Sequence, residues 1–182
     1  MPIYIAMLRG INVGGHNKIK MEELRVSLEA LSFKQVQTYI QSGNAVFRSG
    51  KLSPASLAQN IEQKILADFG FSPLVITRSA EELGAVIAAN PFLKEHRLDP
   101  AKLHAVFLAE PPTPAATTEL LSLTAPPDLS HLSKREIYLF LPNGMSQSTL
   151  WNNPIERRLL KRATTRNWNT VTALYKMAQA LV

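Results

Sequence analysis

The sequence predicts an α+β protein made of two ferredoxin-like (split βαβ) halves packed together, with helices at its C-terminus. Two observations lead to this fold class. Over residues 1–79 the predicted elements follow the order β-α-β-β-α-β, which is that of the split βαβ unit, and residues 80–182 partly repeat this order. The chain of 182 residues, 46% of them hydrophobic, is long enough to bury a core in each half.

The first half begins with an apolar run at residues 3–8, which predicts a buried strand. Apolar residues recur at helical spacing over residues 21–31 and predict the first helix. Residues 36–41 and 45–47 then read as two strands joined by the turn Ser42-Gly43-Asn44, whose composition favours a tight hairpin.

The second helix is predicted to start at Ser53, a capping residue followed by Pro54, and to stop at Gly70. A fourth strand follows at residues 74–77. Ser79 and Glu82 have the spacing of a capping box and predict a helix over residues 79–89. The remaining predicted elements are a strand at 103–108, a helix at 117–123, a hairpin of 129–132 with 137–141, and helices at 155–160 and 168–181.

The net charge of +6 is unevenly distributed along the chain. Residues 1–133 contain 12 basic and 12 acidic side chains, whereas residues 134–182 contain 8 basic and 2 acidic ones. A basic last quarter favours an anionic partner such as nucleic acid, a phosphate ligand or an acidic protein. The alternative is a solvated helix face that only keeps the protein soluble.

Several classes of chemistry are excluded or disfavoured. The absence of cysteine excludes disulfides, thiol catalysis and cysteine-ligated metals, and is typical of a reducing compartment. The four histidines lack paired spacing, so no metal site or cofactor is expected, and the sequence contains neither GxSxG nor SxxK. The N-terminus lacks the features of a signal peptide and no segment is long enough for a membrane span. We therefore expect a cytoplasmic protein without a membrane partner.

Six segments resemble a bacterial family known only as domain of unknown function 1697. They are LRGINVGG, KIKMEEL, TYIQSGNAVF, AANPF, HAVFLAEPP and ATTRNWNTV, in this order along nearly the whole chain. Family members tend to carry a turn with glycine, serine and lysine where this chain reads LPNGMSQSTLWNNP, so no role is transferred to residues 143–153. The resemblance implies an α+β fold of two related halves and implies no activity.

The first candidate site is the glycine-rich loop 9–18, which joins the first strand to the first helix. Glycines allow backbone N–H groups to converge on an anion, and a helix N-terminus favours negative charge. In a βαββαβ unit this loop and the turn at 42–44 lie at the same end of the sheet, and we expect them to be neighbours. The candidate ligand-binding residues are Arg9, Asn12, Gly14, Gly15, His16, Lys18, Ser42, Gly43 and Asn44. The alternative is a structural loop and a turn whose side chains make only local hydrogen bonds.

The second candidate site is the segment 164–170, which is predicted to open the last helix. Thr165 or Asn167 can cap this helix, and Arg166 would lie beside its first N–H groups, where it could hold a phosphate or carboxylate. Capping alone is the competing explanation, and Trp168 is expected in the core.

These observations leave three hypotheses for function, and none of them decides whether the protein is an enzyme. The leading one is a small anionic ligand bound at loop 9–18 and turn 42–44, completed by Arg166 and Asn167. The second is weak nucleic-acid or acidic-protein binding through the basic segment 134–176, although the aromatic pattern of RNA-recognition motifs is missing. The third is that the polar motifs serve folding alone.

Overall fold

The computed structural model describes residues 1–50, 52–94, 98–122, 124–148, 150 and 161–182. Within these residues the chain forms two four-stranded antiparallel sheets and five α-helices, which confirms the α+β class. The first elements are β1 (Ile3–Leu8), α1 (Met21–Ala30), β2 (Lys34–Tyr39), β3 (Asn44–Arg48), α2 (Pro54–Phe69), β4 (Val75–Ser79) and α3 (Ala80–Ala88). They are followed by β5 (Leu103–Leu108), α4 (Pro114–Ser122), β6 (Leu129–Ser133), β7 (Glu136–Phe140), β8 (Ala163–Asn167) and α5 (Trp168–Ala180).

The chain divides into two compact units. One consists of Met1–Ala85 together with Ala173–Val182, and the other of Val86–Thr172. Each unit contains ten basic and seven acidic residues, so the net charge of +6 is divided equally between the units, although seven of the eight basic residues in 134–182 belong to the second unit. The sequence-based division after residue 79 stays a prediction.

The first sheet has the strand order β2-β3-β1-β4, and all neighbours are antiparallel. The strand β3 therefore lies between β1 and β2, the two strands that α1 connects. Alternate residues of β1 (Tyr4, Ala6 and Leu8) pack with apolar residues of α1 and α2 in one buried cluster. The period of two in the strand and of three to four in the helices produces this core.

The second sheet repeats this arrangement with the order β6-β7-β5-β8, again antiparallel throughout. A second buried cluster contains Val106 and Leu108 of β5, Leu120 of α4 and Ile137 and Leu139 of β7. The strand order is thus the same in both units, while the assignment to the ferredoxin-like fold itself stays a prediction.

The correspondence between the sheets extends to single hydrogen bonds at the ends of their central strands. In the first unit the Leu8 N–H donates to the Gly43 carbonyl and the Arg9 N–H to the Leu74 carbonyl, both at 2.8 Å. One neighbouring segment is therefore bound on each side of the end of β1.

In the second unit the equivalent donors are Leu108 and Ala109. Their N–H groups donate to the carbonyls of Arg135 and Arg162, both at 2.9 Å. The second unit thus places arginines at the two points where the first unit has a glycine and a leucine.

A buried arginine also recurs in the fourth strand of each sheet. Arg78 lies opposite Ile5 of β1 and Arg166 opposite Ala105 of β5, and they are only 2% and 7% exposed. In each case Nη1 donates at 2.9 Å to the carbonyl of the preceding threonine. The two units therefore share a Thr-Arg pair as well as a strand order.

Most predicted helix ends are confirmed by their caps. The Ser53 hydroxyl accepts from the Ser56 N–H, and Gly70 ends α2 in the left-handed conformation. At the start of α3, the Ser79 N–H donates to the Glu82 carboxylate at 2.8 Å and the Glu82 N–H to the Ser79 hydroxyl at 3.1 Å. This is the capping box that the sequence predicts.

Residues 164–170 combine a strand with the start of the last helix. The predicted start of that helix at residue 168 is confirmed, since α5 begins at Trp168. Residues Ala163–Asn167 form β8, paired along its length with β5, and this strand was not predicted. Thr165 therefore lies in a strand and does not cap the helix, whereas Asn167 does, since its Oδ1 accepts from the Asn169 N–H at 2.9 Å. The helix predicted at residues 155–160 lies outside the described residues.

The first unit is also held by a polar contact of β3. The Arg48 guanidinium donates to the carbonyl of Met1 at 3.0 Å and to the carbonyl of Leu181. One side chain thus links β3 to residues at both ends of the sequence.

Gly43 provides a test of the strand-end packing. A Cβ at this position would lie 2.8 Å from Ile11 Cγ1 and 3.1 Å from Leu8 Cβ, and φ is +77°. We expect Gly43→Ala to lower the free energy of unfolding by about 2–5 kcal/mol, measured by urea denaturation.

Gly10→Ala is the matched control, because Gly10 has φ +69° but no atom within 4 Å of the added Cβ. Gly10→Ala should lower the free energy of unfolding only by the backbone strain, which is about 1–2 kcal/mol. Equal losses for the two variants would show that the packing of Gly43 against Ile11 contributes nothing.

Candidate functional site

The loop after β1 has a backbone that few residue types adopt. Five of its residues have positive φ, namely Gly10, Asn12, Gly14, Gly15 and Asn17, with values from 49° to 79°. Glycine and asparagine are the residues that tolerate this conformation best. The sequence RGINVGGHN therefore specifies this loop directly.

The loop closes on itself through backbone hydrogen bonds. The Asn12 N–H donates to the Asn17 carbonyl at 3.1 Å, and the His16 N–H donates to the Val13 carbonyl at 3.1 Å. The Asn17 side chain adds a bond to the Gly10 carbonyl at 3.2 Å. The loop is consequently a compact hairpin-like structure with an exposed tip.

One side chain, that of Asn12, connects the loop to the rest of the site. Its Nδ2 donates to the carbonyls of Ile19 and Gln41, and its Oδ1 accepts from the Ile19 N–H, each at 2.9 Å. All hydrogen-bonding capacity on its Nδ2 is thus used to hold the start of α1 and the β2–β3 turn together. The predicted proximity of loop 10–18 and turn 42–44 is confirmed by this contact and by the packing of Gly43 against Ile11.

An open pocket of about 550 Å³, here called the loop pocket, lies between these segments. Its lining residues come from the loop, the first turn of α1 and the β2–β3 turn, and they are Asn12, Gly15, Lys18, Ile19, Lys20, Glu23 and Gln41. Two lysines and one glutamate give this lining one net positive charge.

The glutamate is tied to the start of α1. Glu23 Oε2 accepts from the Lys20 N–H at 3.4 Å, and its Oε1 lies 3.9 Å from Lys20 Nζ. Lys20 and Glu23 are exposed, with 84% and 50% of their side chains accessible, so this ion pair is screened and weak. Lys18 is also exposed and has no ion pair with any described residue.

Only some of the predicted ligand-binding residues line the loop pocket. Asn12, Gly15 and Lys18 do, whereas Arg9, Gly14 and His16 are exposed outside its lining. The predicted turn residues are outside it too.

Asn44 is fully buried, and its Nδ2 donates to the Tyr39 carbonyl and to the Ser42 hydroxyl, both at 3.0 Å. These two side chains make the local turn contacts that were the structural alternative. Gly43 serves the packing described above.

Arg166 does not lie at a helix N-terminus as predicted, because it belongs to β8. Its Nη1 donates to the Thr164 hydroxyl at 2.7 Å and to the Thr165 carbonyl at 2.9 Å. Burial lowers the pKa of its guanidinium to about 10, so it remains charged at neutral pH. Asn167, beyond its capping role, donates from Nδ2 to the Ala101 carbonyl at 3.1 Å. Both residues are thus engaged inside the second unit.

Four lining residues were not among the predicted site residues, namely Ile19, Lys20, Glu23 and Gln41. A glutamate three residues after a helix cap is a known sequence signal, so Glu23 could have been placed at the start of α1. Gln41 carries no such signal, since its place in the pocket depends on the bond between its carbonyl and Asn12.

The loop pocket suits a small anion better than a metal ion. Its lining offers ammonium groups, an amide and a glycine backbone, which are donors to phosphate or carboxylate oxygens. Among the described residues no group of three or more His, Cys, Asp or Glu side chains could hold a metal ion. No helix in the described part of the chain is long and apolar enough to cross a membrane.

Comparison with known proteins gives a family and a structural relative. The sequence profile of a family described as "Protein of unknown function (DUF1697)" matches residues 1–138. The chain is similar to the solved structure of a conserved bacterial protein from Streptococcus pneumoniae, with 26% sequence identity and a TM-score of 0.78. This similarity covers 97% of the present chain and 98% of the other. No curated protein matches the sequence.

The role of Asn12 can be measured with two substitutions. Asn12→Gly keeps a residue that tolerates φ of 55° but removes three hydrogen bonds, and we expect a loss of about 1–3 kcal/mol in the free energy of unfolding. Asn12→Asp should cost at least as much, because a carboxylate would face the carbonyls of Ile19 and Gln41 without a donor.

Asn17→Gly is the control, since Asn17 also has positive φ but makes a single exposed side-chain bond of 3.2 Å. It should change stability by less than about 0.5 kcal/mol. An Asn12→Asp protein as stable as the parent would rule out the amide as the link between loop and turn.

Proposed function

We propose that this chain, which belongs to the DUF1697 family of proteins of unknown function, binds a small anionic ligand in the loop pocket. The single observation behind this proposal is the geometry around Asn12. Its amide joins a glycine-rich loop, the start of a helix and a hairpin turn into one preformed concavity that carries two exposed lysines.

The donors in the loop pocket are of the kinds that recognise phosphate or carboxylate. Lys18 and Lys20 supply ammonium groups on either side of the buried Ile19. The pocket also borders the first turn of α1, a helix of ten residues whose dipole favours negative charge at this end. These contributions support an anionic group on the ligand.

Glu23 narrows the class of ligand. Its carboxylate is part of the same lining, so it repels a second negative charge and can accept a hydrogen bond from the ligand. The combination favours a molecule with one phosphate or carboxylate and a hydroxyl or amino group. A volume of about 550 Å³ is within the range of pockets that hold small metabolites.

The lysines can be tested with simple probes. Inorganic phosphate and glycerol 3-phosphate should raise the melting temperature of the protein more than sodium chloride does at equal ionic strength. Lys18→Gln and Lys20→Gln should each weaken phosphate binding and so raise the dissociation constant about 5- to 10-fold, as measured by ligand titration of the melting temperature or by NMR.

Lys34→Gln is the matched control, because Lys34 is an exposed lysine of the same unit, on β2, that does not line the loop pocket. It should leave the dissociation constant unchanged. An equal rise in the dissociation constant for Lys34→Gln would show that phosphate is held by general charge attraction, and it would contradict the proposed site.

Substitution of Glu23 gives a prediction in the opposite direction. Glu23→Gln removes the negative charge but keeps an oxygen that can accept from the Lys20 N–H. We expect tighter binding of inorganic phosphate, by about 2- to 5-fold, in the same titration. Weaker phosphate binding with an unchanged melting temperature of the free protein would exclude a direct place for Glu23 beside the anion.

A further inference from the structure

Two exposed apolar residues lie next to the loop pocket. Val13 is 65% exposed and lies in the tip of the loop, between the lining residues Asn12 and Gly15. Ile40 is 48% exposed and directly precedes the lining residue Gln41. These two residues are far apart in sequence, yet each adjoins the same pocket. We call the pair the apolar edge.

One hydrogen bond ties together the two segments that carry the apolar edge. The Asn12 Nδ2 donates to the Gln41 carbonyl at 2.9 Å. Val13 follows Asn12 in the sequence, and Ile40 precedes Gln41. Each member of the edge is therefore attached to a segment whose position this bond fixes, and the edge belongs to the preformed structure around the pocket.

The backbone of Ile40 is strained. Its φ is +48°, in the left-handed region, which a β-branched residue adopts only as an outlier. Six non-glycine residues in the described part of the chain have positive φ, and Ile40 is the only β-branched one among them. Asparagine or glycine would fit this position of the turn with less strain, as they do in the loop after β1.

Core packing does not account for an isoleucine at this position. Ile40 lies outside the buried apolar cluster of the first unit, and about half of its surface is exposed to solvent. Strained residues cluster at active sites and ligand-binding segments, where the strain is offset by a function of the residue. The conformation of Ile40 therefore indicates a function for its exposed side chain.

The lining of the loop pocket itself offers little apolar surface to a ligand. Its one large apolar residue, Ile19, is only 2% exposed, and the other lining residues are polar, charged or glycine. An apolar group attached to a bound anion consequently finds its contact surface at the apolar edge. Covering these two side chains removes apolar surface from water and so strengthens binding.

We infer that the ligand of the loop pocket is an organic phosphate or carboxylate whose apolar group packs against Val13 and Ile40. This inference rests on the proposed function, because Lys18 and Lys20 must hold the anion for the apolar group to contact the edge. It adds an aromatic or branched aliphatic part to the ligand class, whereas a sugar phosphate would leave the edge uncovered.

Pairs of ligands with the same anionic group test the apolar edge. Phenyl phosphate should bind the full chain about 5- to 20-fold more tightly than inorganic phosphate, in titrations followed by the melting temperature or by NMR. Glycerol 3-phosphate, whose organic group is polar, should bind at most about 2-fold more tightly than inorganic phosphate. Phenylacetate and acetate give the same comparison for carboxylates.

Two substitutions separate the edge from the lysines. Val13→Thr keeps a β-branched side chain but replaces a methyl group with a hydroxyl, and Ile40→Asn introduces a residue that adopts positive φ more readily. The dissociation constant of phenyl phosphate should rise about 2- to 4-fold in the first variant and about 3- to 10-fold in the second. That of inorganic phosphate should stay unchanged in both.

The stability of the free protein gives a second measurement on Ile40→Asn. Because the substitution relieves backbone strain, we expect the melting temperature to rise by about 2–4 °C. A rise in stability together with a loss of affinity for phenyl phosphate is the result that a ligand-contacting role predicts. A clear fall in melting temperature would show that packing within the turn holds the isoleucine, and it would contradict the inference.

Two control variants match these substitutions. Val26→Thr changes an exposed valine of α1, and Gln35→Asn changes a positive-φ residue of β2; neither residue lines the loop pocket. Both should leave the dissociation constant of phenyl phosphate unchanged. Losses of affinity equal to those of the edge variants would overturn the inference.

The remaining outcomes distinguish this inference from the proposed function. Phosphate binding that depends on Lys18 and Lys20, with no preference for either phenyl compound, would overturn the apolar edge and leave the proposed function intact. Absence of any such phosphate binding would overturn both. Equal weakening of phosphate and phenyl phosphate by Ile40→Asn would reduce this residue to a structural role in the turn.

A membrane surface is the other partner that lysines beside exposed apolar residues could contact. Sedimentation with vesicles of phosphatidylserine and phosphatidylcholine measures this directly. We expect no vesicle binding by the parent chain at physiological salt. Vesicle binding that Val13→Thr and Ile40→Asn both reduce would assign the apolar edge to a lipid surface and overturn the small-molecule inference.

Discussion

The hydrogen bonds at the end of each central strand are the constraint on which the placement of the connecting segments, and with it the loop pocket, depends. β1 and β5 pair on both sides, and their last amides bind the turn of one neighbour and the segment that enters the other. Because a sheet fixes its register through the whole ladder, the location of these connecting segments follows from the strand order. What differs between the units is the set of side chains at that location, which forms a closed loop beside a pocket in one case and a basic edge in the other.

The recurrence of Thr-Arg in the fourth strands shows which features the two units share. Arg78 and Arg166 are buried and bind the carbonyl of the preceding threonine with the same geometry. Taking a guanidinium out of water is unfavourable unless its donors are satisfied, so such a residue imposes strict demands on its surroundings. This explains why the segment around Arg166, which resembles a ligand-binding motif in the sequence, has a structural role instead. The exposed residues at the strand ends do not have to satisfy buried hydrogen-bond donors, and it is at these positions that the two units differ.

The sequence predicted the elements whose signals are local. Ser53, Gly70, Ser79 and Glu82 each act within one helical turn, and their predicted roles are confirmed. The neighbourhood of loop 10–18 and turn 42–44 followed from topology. β8 was missed because its five residues resemble the start of a helix, and only pairing with β5, about 60 residues away, makes them a strand. Gln41 was not predicted for a similar reason. Its place in the loop pocket depends on a contact with Asn12 that no local pattern encodes.

The division of the chain affects how the protein can be made in the cell. Residues 173–182 belong to the first unit, yet a ribosome synthesises them after the entire second unit. The bond from Arg48 to the Leu181 carbonyl joins residues separated by 133 positions, so it cannot form on a nascent chain until the whole second unit has been synthesised. The second unit is an insertion in the first in this sense, because the four strands of the first sheet are synthesised before it and residues 173–182 after it. Vectorial synthesis therefore allows the first sheet to form early, whereas the first unit acquires its last helical segment only after the second unit has been made.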